Sequence, residues 1–548
     1  MTAAPDKLLA FACSAAQAHG LDASLVCAVI EQESSWNPWA MRYEPAFFAK
    51  YVAPLYTNNR INATEAYARG MSWGLCIAAG ERVPTEAGWR PIESVTPGMR
   101  VLNRQGTLSK VRAVVEKPPK ECLEIAVALN LPLHLTQDHL VFARKATLSK
   151  WHTGRTRVCH DTHPEFLAAS DLSPWDQIAF PRASPTVPID EIDATDFLQS
   201  PEGWRNAVDY IVRDGWVIVS YKGGRERCRV KRHIPITREF MELAGLYLAE
   251  GHRLEKGKGC AFSFHAKERN LQARVIELAT IVFGETPSHN VQRYGNNGVQ
   301  VILYGVGPRL LTNIFRGTAT TKQLPPWVHW LPPEKQKYLF LGAFLGDGCR
   351  KYAKVTTASL ELAYGLAHIL LRLGIVPRLS SSESGKRRWY DVQLNSHLAV
   401  SALNSQLGNL AEWAQTSTFG LRRRNSTHWD QDSDFMYFPV RRVRPSGPRP
   451  VFDLDAGEDA TFCVGRSIVH NCQVMGQVAR ENGFTDHYLS ALCDPATGLE
   501  MGCRVLRKKL DAAKGDTAKG LLLWNGGANP NYPVEVLPRR ASYLSSNS

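Results

Sequence analysis

Nowhere in this 548-residue chain is there a run of about 18 uncharged apolar residues, so no segment is suited to cross a bilayer as a helix. Its start is not a secretion signal either. MTAAPDK sets Asp6 beside Lys7, and the LLAFACSAAQAHG that follows has helical spacing in place of a solid apolar block. We therefore expect the chain in the cytoplasm. Also missing is any Cys-x-x-Cys pair among the twelve cysteines, and Cys159-His160 has no partner cluster, which argues against zinc ligation and a disulfide framework. In a reducing compartment most of these thiols should be free, the buried ones acting as small apolar filler. What the chain does have is length for several domains and a globular balance of 44% hydrophobic against 21% charged residues.

The net charge of +13 sits almost wholly in the middle. Met1–Leu75 holds 5 Lys/Arg against 6 Asp/Glu and Cys472–Ser548 holds 9 against 7, so the ends together carry +1 and Cys76–Asn471 carries +12. A basic excess confined to the middle points to a polyanionic partner there, or to a solvated basic surface.

The first end predicts a helix from Asp6 to about His19, closed by Gly20. A second follows, capped by Asp22 or Ser24, with Val26, Val29, Ile30 and Glu33 at i, i+3, i+4 and i+7. Desolvation at the end of an apolar stripe raises a carboxyl's pKa, as a general acid at neutral pH requires, although an exposed helix-end glutamate has the same spacing. Glu33-Ser34-Ser35-Trp36-Asn37-Pro38 resembles the E-S-x-x-N-P signature of lytic transglycosylases of the lysozyme-like fold. That family continues with S-x-G-L-M-Q, but here Ser72-Trp73-Gly74-Leu75 breaks off, and Gln473-Val474-Met475 resumes the motif only after Cys472. Asp494-Pro495, Gly502 and Trp524-Asn525-Gly526-Gly527 match later landmarks, with Trp where the family has Tyr. The resemblance implies a mainly α domain split between 1–75 and 472–548. It also implies cleavage of peptidoglycan glycan strands by one carboxyl, Glu33, without a cofactor, with Ser72, Gln473 and Asn525 binding substrate. A hydrolytic lysozyme with Glu44 as a second carboxylate is the alternative.

The interruption has chemistry at its borders. An insert that splices itself out needs a nucleophile first, an amide side chain last and a nucleophile just beyond. Cys76, Asn471 and Cys472 meet these demands. Cys76-Ile77-Ala78-Ala79-Gly80-Glu81-Arg82-Val83, Leu135-Thr136-Gln137-Asp138-His139, Val451-Phe452-Asp453-Leu454-Asp455 and Ile468-Val469-His470-Asn471-Cys472 resemble, in order, the four motifs of inteins of the all-β Hint fold. The resemblance implies an acyl relay with no cofactor. Cys76 attacks the Leu75 carbonyl, His139 donates a proton with Thr136 orienting it, Cys472 takes over the acyl group, and Asn471 cyclises with help from His470. Asp453 stands at the family position that couples the two ends. Many inteins carry a histidine seven residues after that aspartate; here the position is Ala460. Cys463 nearby reads as a buried, inert thiol. A Hint module that cleaves without ligating is the competing view.

Within the insert, Thr237 can cap a helix with Phe240, Leu243, Ala244 and Tyr247 on one face, ending at Glu250-Gly251. Pro333 can begin another, with Tyr338, Leu341, Gly342 and Leu345, ending at Asp347-Gly348. Gly245 and Ala249, then Gly342 and Gly346, sit four apart, which lets two backbones approach closely. These segments resemble the paired helices of LAGLIDADG homing endonucleases, of α+β fold. That implies double-stranded DNA as partner, Mg²⁺ held by Glu250 and Asp347, and Lys322 near the scissile phosphate. Lys386-Arg387-Arg388 and Arg422-Arg423-Arg424 would meet backbone phosphates, unless they are solvated loops. The expected organisation is thus host segment 1–75, splicing domain 76–185 and 429–471, a linker or DNA-contacting region 186–232, endonuclease 233–428 and host segment 472–548, acting as a monomer. A degenerate insert in a peptidoglycan-binding host, and a phage or prophage origin for the wall enzyme, complete the expectations.

Overall fold

The computed structural model describes residues 6–34, 76–137, 139–150, 156–200, 207–385, 387–394, 396–407, 429–456, 461–470, 495–524 and 531–544. Ser72, Asn471, Cys472, Gln473, Asn525, Ala460 and Arg422 to Arg424 lie outside them, and of Glu33 and His470 only the backbone lies inside.

The two ends of the chain fold onto each other. Helices α1 (Asp6–Ala18) and α2 (Ala23–Ser34) pack with Pro495–Ala512, Thr517–Trp524 and Tyr532–Leu544. Ala12, Ala16, Val26 and Val29 share one buried cluster with Cys503, Leu506, Leu510, Leu521 and Val536. Gly20 closes α1 at φ +61°. Asp22 begins α2, its Oδ1 accepting from the Ser24 amide at 2.8 Å. Inside this mainly α body Glu31 is 4% exposed and held by Arg539 (3.2 Å) and Tyr543 (2.8 Å). Burial pushes the Cys27 and Cys503 thiols up to about 12.

Cys76, Ala78, Cys122 and Val451 form a small cluster of their own, while most other buried apolar residues described between the two ends belong to a second, larger core. Its frame is a pair of long antiparallel strands, Leu108–Val127 and Phe435–Ala456, running from Val127–Val440 to Val111–Ala456 with four register shifts that bend them together. They anchor a thirteen-stranded sheet drawn only from 77–181 and 430–470. Between its two portions of chain, Ala207–Arg213, Trp216–Tyr221 and Arg225–Lys231 form a small separate sheet, and Glu191–Asp193 pairs with His233–Pro235.

Residues 238–407 repeat one unit twice. The first runs α3 (Arg238–Glu250), strands Gly251–Arg253 and Gly259–His265, α4 (Arg269–Phe283), strands Ser288–Tyr294 and Gly298–Tyr304, then α5 (Val306–Ile314). The second runs α6 (Pro333–Asp347), strands Gly348–Cys349 and Lys354–Thr357, α7 (Leu360–Arg372), strands Arg378–Ser384 and Arg387–Gln393, then α8 (His397–Leu407). Both four-stranded sheets have the same strand order. The chain is therefore multidomain, combining a mainly α body, a β framework and two repeats in which helices and strands alternate.

The helix ends follow the sequence. Thr237 Oγ1 accepts from the Phe240 amide at 3.3 Å to start α3, and α6 starts on Pro333. The two helices meet backbone to backbone. A β carbon at Gly245 would stand 2.1 Å from the Leu339 carbonyl oxygen, and one at Gly342 would stand 2.1 Å from that of Glu242. Only glycine permits this approach. Gly245→Ala should therefore cost about 1–3 kcal/mol by overpacking. Gly502→Ala, in a helix with nothing within 4 Å of the new methyl, should instead gain about 0.5–1 kcal/mol. Because the cores are separate, calorimetry should show each change in a different unfolding transition.

Candidate functional site

Cys76 is fully buried at the head of strand Ile77–Ala78. Ile77 pairs with Phe452 on one side and Leu135 on the other. One step along both registers aligns Asp453, Cys76 and Thr136, and the Thr136–Cys122 pair extends the row. Residues opposite one another in a sheet share a face, so four chemically active side chains lie on one line. Burial pushes Cys122 up to about 11, with Arg449 pulling the other way.

Thr136 holds the centre of this row. Its amide donates to the Cys76 carbonyl at 3.0 Å. An ordinary antiparallel pair would return a bond from the Cys76 amide to the Thr136 carbonyl. That carbonyl is instead taken by the His139 amide at 3.1 Å, which closes a four-residue turn. The Cys76 amide donates to Thr136 Oγ1 at 3.1 Å, and the same hydroxyl donates to the Cys76 carbonyl at 3.2 Å. The T-x-x-H spacing is thus a turn that withdraws a backbone acceptor from the Cys76 amide and substitutes a hydroxyl. The sequence pointed to Thr136 as a partner of His139; its hydroxyl is on Cys76 itself.

His139 is 1% exposed, its carbonyl accepting from Ala169 at 2.7 Å. Strand Leu140–Arg144 leaves the turn and pairs with Ser467–His470 through Val141–Val469, so the next step of that register sets His470 beside Leu140. Both ends of the larger core therefore converge on one bend. Cys463 is buried, with its thiol 3.8 Å from the Asn103 carbonyl, as expected of filler.

The second constellation lies where α3 and α6 end. At Gly346 an added β carbon would stand 2.6 Å from Ala249 Cβ and 3.0 Å from Glu250 Cγ, so the seam stays tight to its last turn. Burial, then the nearby Asp347 charge, pushes Glu250 up to about 8; burial pushes Asp347 up to about 6. Lys322 opposes both shifts. It is 6% exposed, and its ammonium donates to the carbonyls of Tyr247 (3.1 Å), Leu248 (2.8 Å) and Gly251 (2.7 Å). Three donors meet three acceptors, so Lys322 caps the α3 C-terminus, where the helix dipole favours a cation. The sequence did not reveal this engagement, because all three acceptors are backbone atoms some 70 positions away.

Two desolvated carboxylates side by side fit a hard divalent cation such as Mg²⁺. Among the described residues no group of three or more His, Cys, Asp or Glu could hold a metal, so remaining ligands would be water or substrate oxygen. Around the seam the sheets offer an exposed polar surface. Ser288–Tyr294 is exposed throughout, and Arg387 and Arg388 are exposed on the matching sheet, Arg388 already paired with Glu383. No described helix is long and apolar enough to cross a membrane.

Residues 334–408 match the LAGLIDADG-like domain family, so the chain carries such a domain. The match covers the second repeat alone; the first repeats its element order. The chain is also 22% identical over 72% of its length to "Uncharacterized protein MJ0043" of Methanocaldococcus jannaschii, covering 50% of that protein. It is 24% identical over 72% of its length to the ATP-dependent DNA helicase Hel308 of Thermococcus kodakarensis, covering 36% of it. The chain thus spans half or less of the curated relatives it matches.

A carboxyl whose folded pKa is raised costs stability as pH climbs from its unfolded value, about 4.3, through the folded one. In metal-free protein Glu250→Gln should therefore raise the melting temperature at pH 8–9, and the gain should vanish below about pH 4. Mg²⁺ should stabilise the parent and lose that effect in Glu250→Gln with Asp347→Asn. A thermal scan at both pH values, with and without Mg²⁺, checks both outcomes.

Proposed function

We propose that this chain is a self-splicing precursor: Cys76–Asn471 leaves, and Met1–Leu75 is joined to Cys472–Ser548. The observation that carries the reading is the Thr136 hydroxyl on the Cys76 amide, the nitrogen of the bond that must break first. Cys76 Sγ attacks the Leu75 carbonyl carbon; a C–S bond forms, the C–N bond breaks, and the thiol proton ends on nitrogen. Amide resonance opposes this shift, and polar groups set on that nitrogen in a dry site lower the barrier. His139, at the far corner of the same turn, is the proton donor. The Cys472 thiol then displaces Cys76 from the acyl carbon. The Asn471 side-chain nitrogen attacks its own carbonyl, closing a succinimide and releasing the Cys472 amine, which finally takes the acyl group from sulfur. Asp453, in register with Cys76, tunes the thiol exchange, and His470 assists the cyclisation.

Two further observations support excision followed by ligation. The ends of the chain share a core without the insert, so cleavage leaves them held together. Cys76–Asn471 also makes up 72% of the chain, the same share that matches each relative. An insert carried by different hosts gives that pattern, so the helicase activity named for one relative is not transferred to this chain.

The excised segment is read as a site-specific, DNA-cleaving homing endonuclease. Glu250 and Asp347 would hold the cation, Lys322 fixes the end of α3, and the exposed sheets would lie along the DNA. A bound divalent cation would supply water activation and charge neutralisation at a phosphodiester. The ligated ends are read as a peptidoglycan lytic transglycosylase with Glu33 as acid and base. Glu33 lies in the last turn of α2, one of the helices of the body formed by the two ends. The precursor is placed in the cytoplasm.

Intact mass after expression in a cytoplasmic host should show a 152-residue ligated product and a 396-residue insert; persistence of full-length chain, or of separate ends, would sink the splicing reading. Purified insert with Mg²⁺ should nick DNA spanning the uninterrupted host site, and cleavage that survives Glu250→Gln with Asp347→Asn removes the assigned site. Muropeptides released by the ligated product should carry anhydro ends; reducing ends make it a lysozyme.

A further inference from the structure

The hairpin that carries His470 is short: Thr461–Val464 pairs with Ser467–His470, turning at Gly465 and Arg466. Four residues span only about 13 Å at strand rise, and a one-residue slip would turn His470 to the opposite face. What fixes the turn comes largely from elsewhere. The Gly465 amide donates to the Arg82 carbonyl at 2.6 Å. Arg466 is 3% exposed and reaches out of the β framework, donating through Nη1 to the Pro377 carbonyl at 2.9 Å and to that of Leu129 at 3.4 Å. Pro377 lies between α7 and strand Arg378–Ser384, in the second LAGLIDADG repeat.

A buried guanidinium is costly, and among the described residues no carboxylate pairs with Arg466. Its Nη2 is buried without a hydrogen-bond partner. Burial lowers its pKa to about 10. Retaining a cation there makes sense if its geometry matters more than its charge. The surrounding contacts agree. Tyr364 of α7 stacks on Trp89 of the splicing sheet (4.7 Å, 25°), and its hydroxyl lies 4.0 Å from where a Gly465 β carbon would be. Arg82 pairs with Glu361 at 2.8 Å, and Trp330 Nε1 donates to the Glu86 carbonyl at 3.0 Å. The repeat is fused to the splicing sheet through a shared core.

We propose that Arg466 is a positioning residue for the downstream splice junction, and that the second endonuclease repeat, through Pro377 and α7, is a working part of the splicing machinery. The proposal rests on the splicing reading. Arg466 sets the register of the hairpin, and the hairpin sets His470 and the approach of Asn471. The upstream junction does not depend on it, because Cys76 is held by Thr136 and its own strand pairs.

The two junctions are read separately in the full chain. Downstream cleavage is followed in a Cys76→Ala background, and upstream cleavage is induced with dithiothreitol in an Asn471→Ala background. Arg466→Met should slow downstream cleavage at least tenfold while upstream cleavage stays within twofold, which also shows that the sheet has folded. Arg466→Lys, which keeps a donor for the Pro377 carbonyl, should recover most of the rate. Tyr364→Leu, on the endonuclease side, should slow the same junction. Downstream rates within twofold for both Arg466→Met and Tyr364→Leu, or equal slowing at both junctions, overturn the proposal. If the parent backgrounds cleave at neither junction, the splicing reading falls and takes this inference with it.

Discussion

The pairing of Leu108–Val127 with Phe435–Ala456 is the constraint on which the rest depends. It joins two parts of the chain separated by both LAGLIDADG-like repeats, and loop closure over such a distance must be offset by many contacts at once. The long ladder supplies them, and its register shifts curl it so that short strands can dock at fixed points. Ile77–Ala78, only two residues long, has no stability of its own. It is held because it pairs with partners on both sides. The depth of Cys76, the Thr136 contact and the approach of His470 all follow from that frame.

What the sequence made legible was what local chemistry dictates. Thr237 and Pro333 marked helix starts, Gly251 and Gly348 marked ends, and glycine spacing disclosed the close seam, because each is a matter of a few neighbouring residues. The spacing of Thr136 and His139 was visible, but the reason for it was not. A turn that moves a carbonyl away and brings a hydroxyl in its place is seen only when the partner strand is present. The same holds for Lys322, whose acceptors are carbonyls of a helix end rather than side chains. Nor does anything local reveal that Arg539 and Tyr543 return to meet Glu31. The duplicated strands of the two repeats were equally hidden, being short and only partly alternating.

The seam between α3 and α6 shows how one packing choice creates an electrostatic problem. Backbone contact between glycines gives a rigid, dry joint, and it also brings Glu250 and Asp347 together where neither is well solvated. Lys322 relieves part of that tension, yet its hydrogen bonds are spent on α3. The site therefore remains short of positive charge, which is the condition under which a divalent cation binds with most effect.

On the proposed reading, excision and nuclease chemistry would share more than a chain. If the LAGLIDADG-like repeats were merely lodged in a loop of the thirteen-stranded sheet, the contacts between them would be few and wet. Instead Trp89, Tyr364, His368 and Arg466 lie in one buried cluster region, with Gly88 leaving room for His329, whose ring would stand 2.4 Å from any β carbon there. Such an interface cannot be erased by mutation without exposing apolar surface on the sheet that carries Cys76. On that reading, loss of nuclease activity would be confined to changes at the seam, where Glu250 or Asp347 can be replaced without disturbing the core around the Thr461–His470 hairpin.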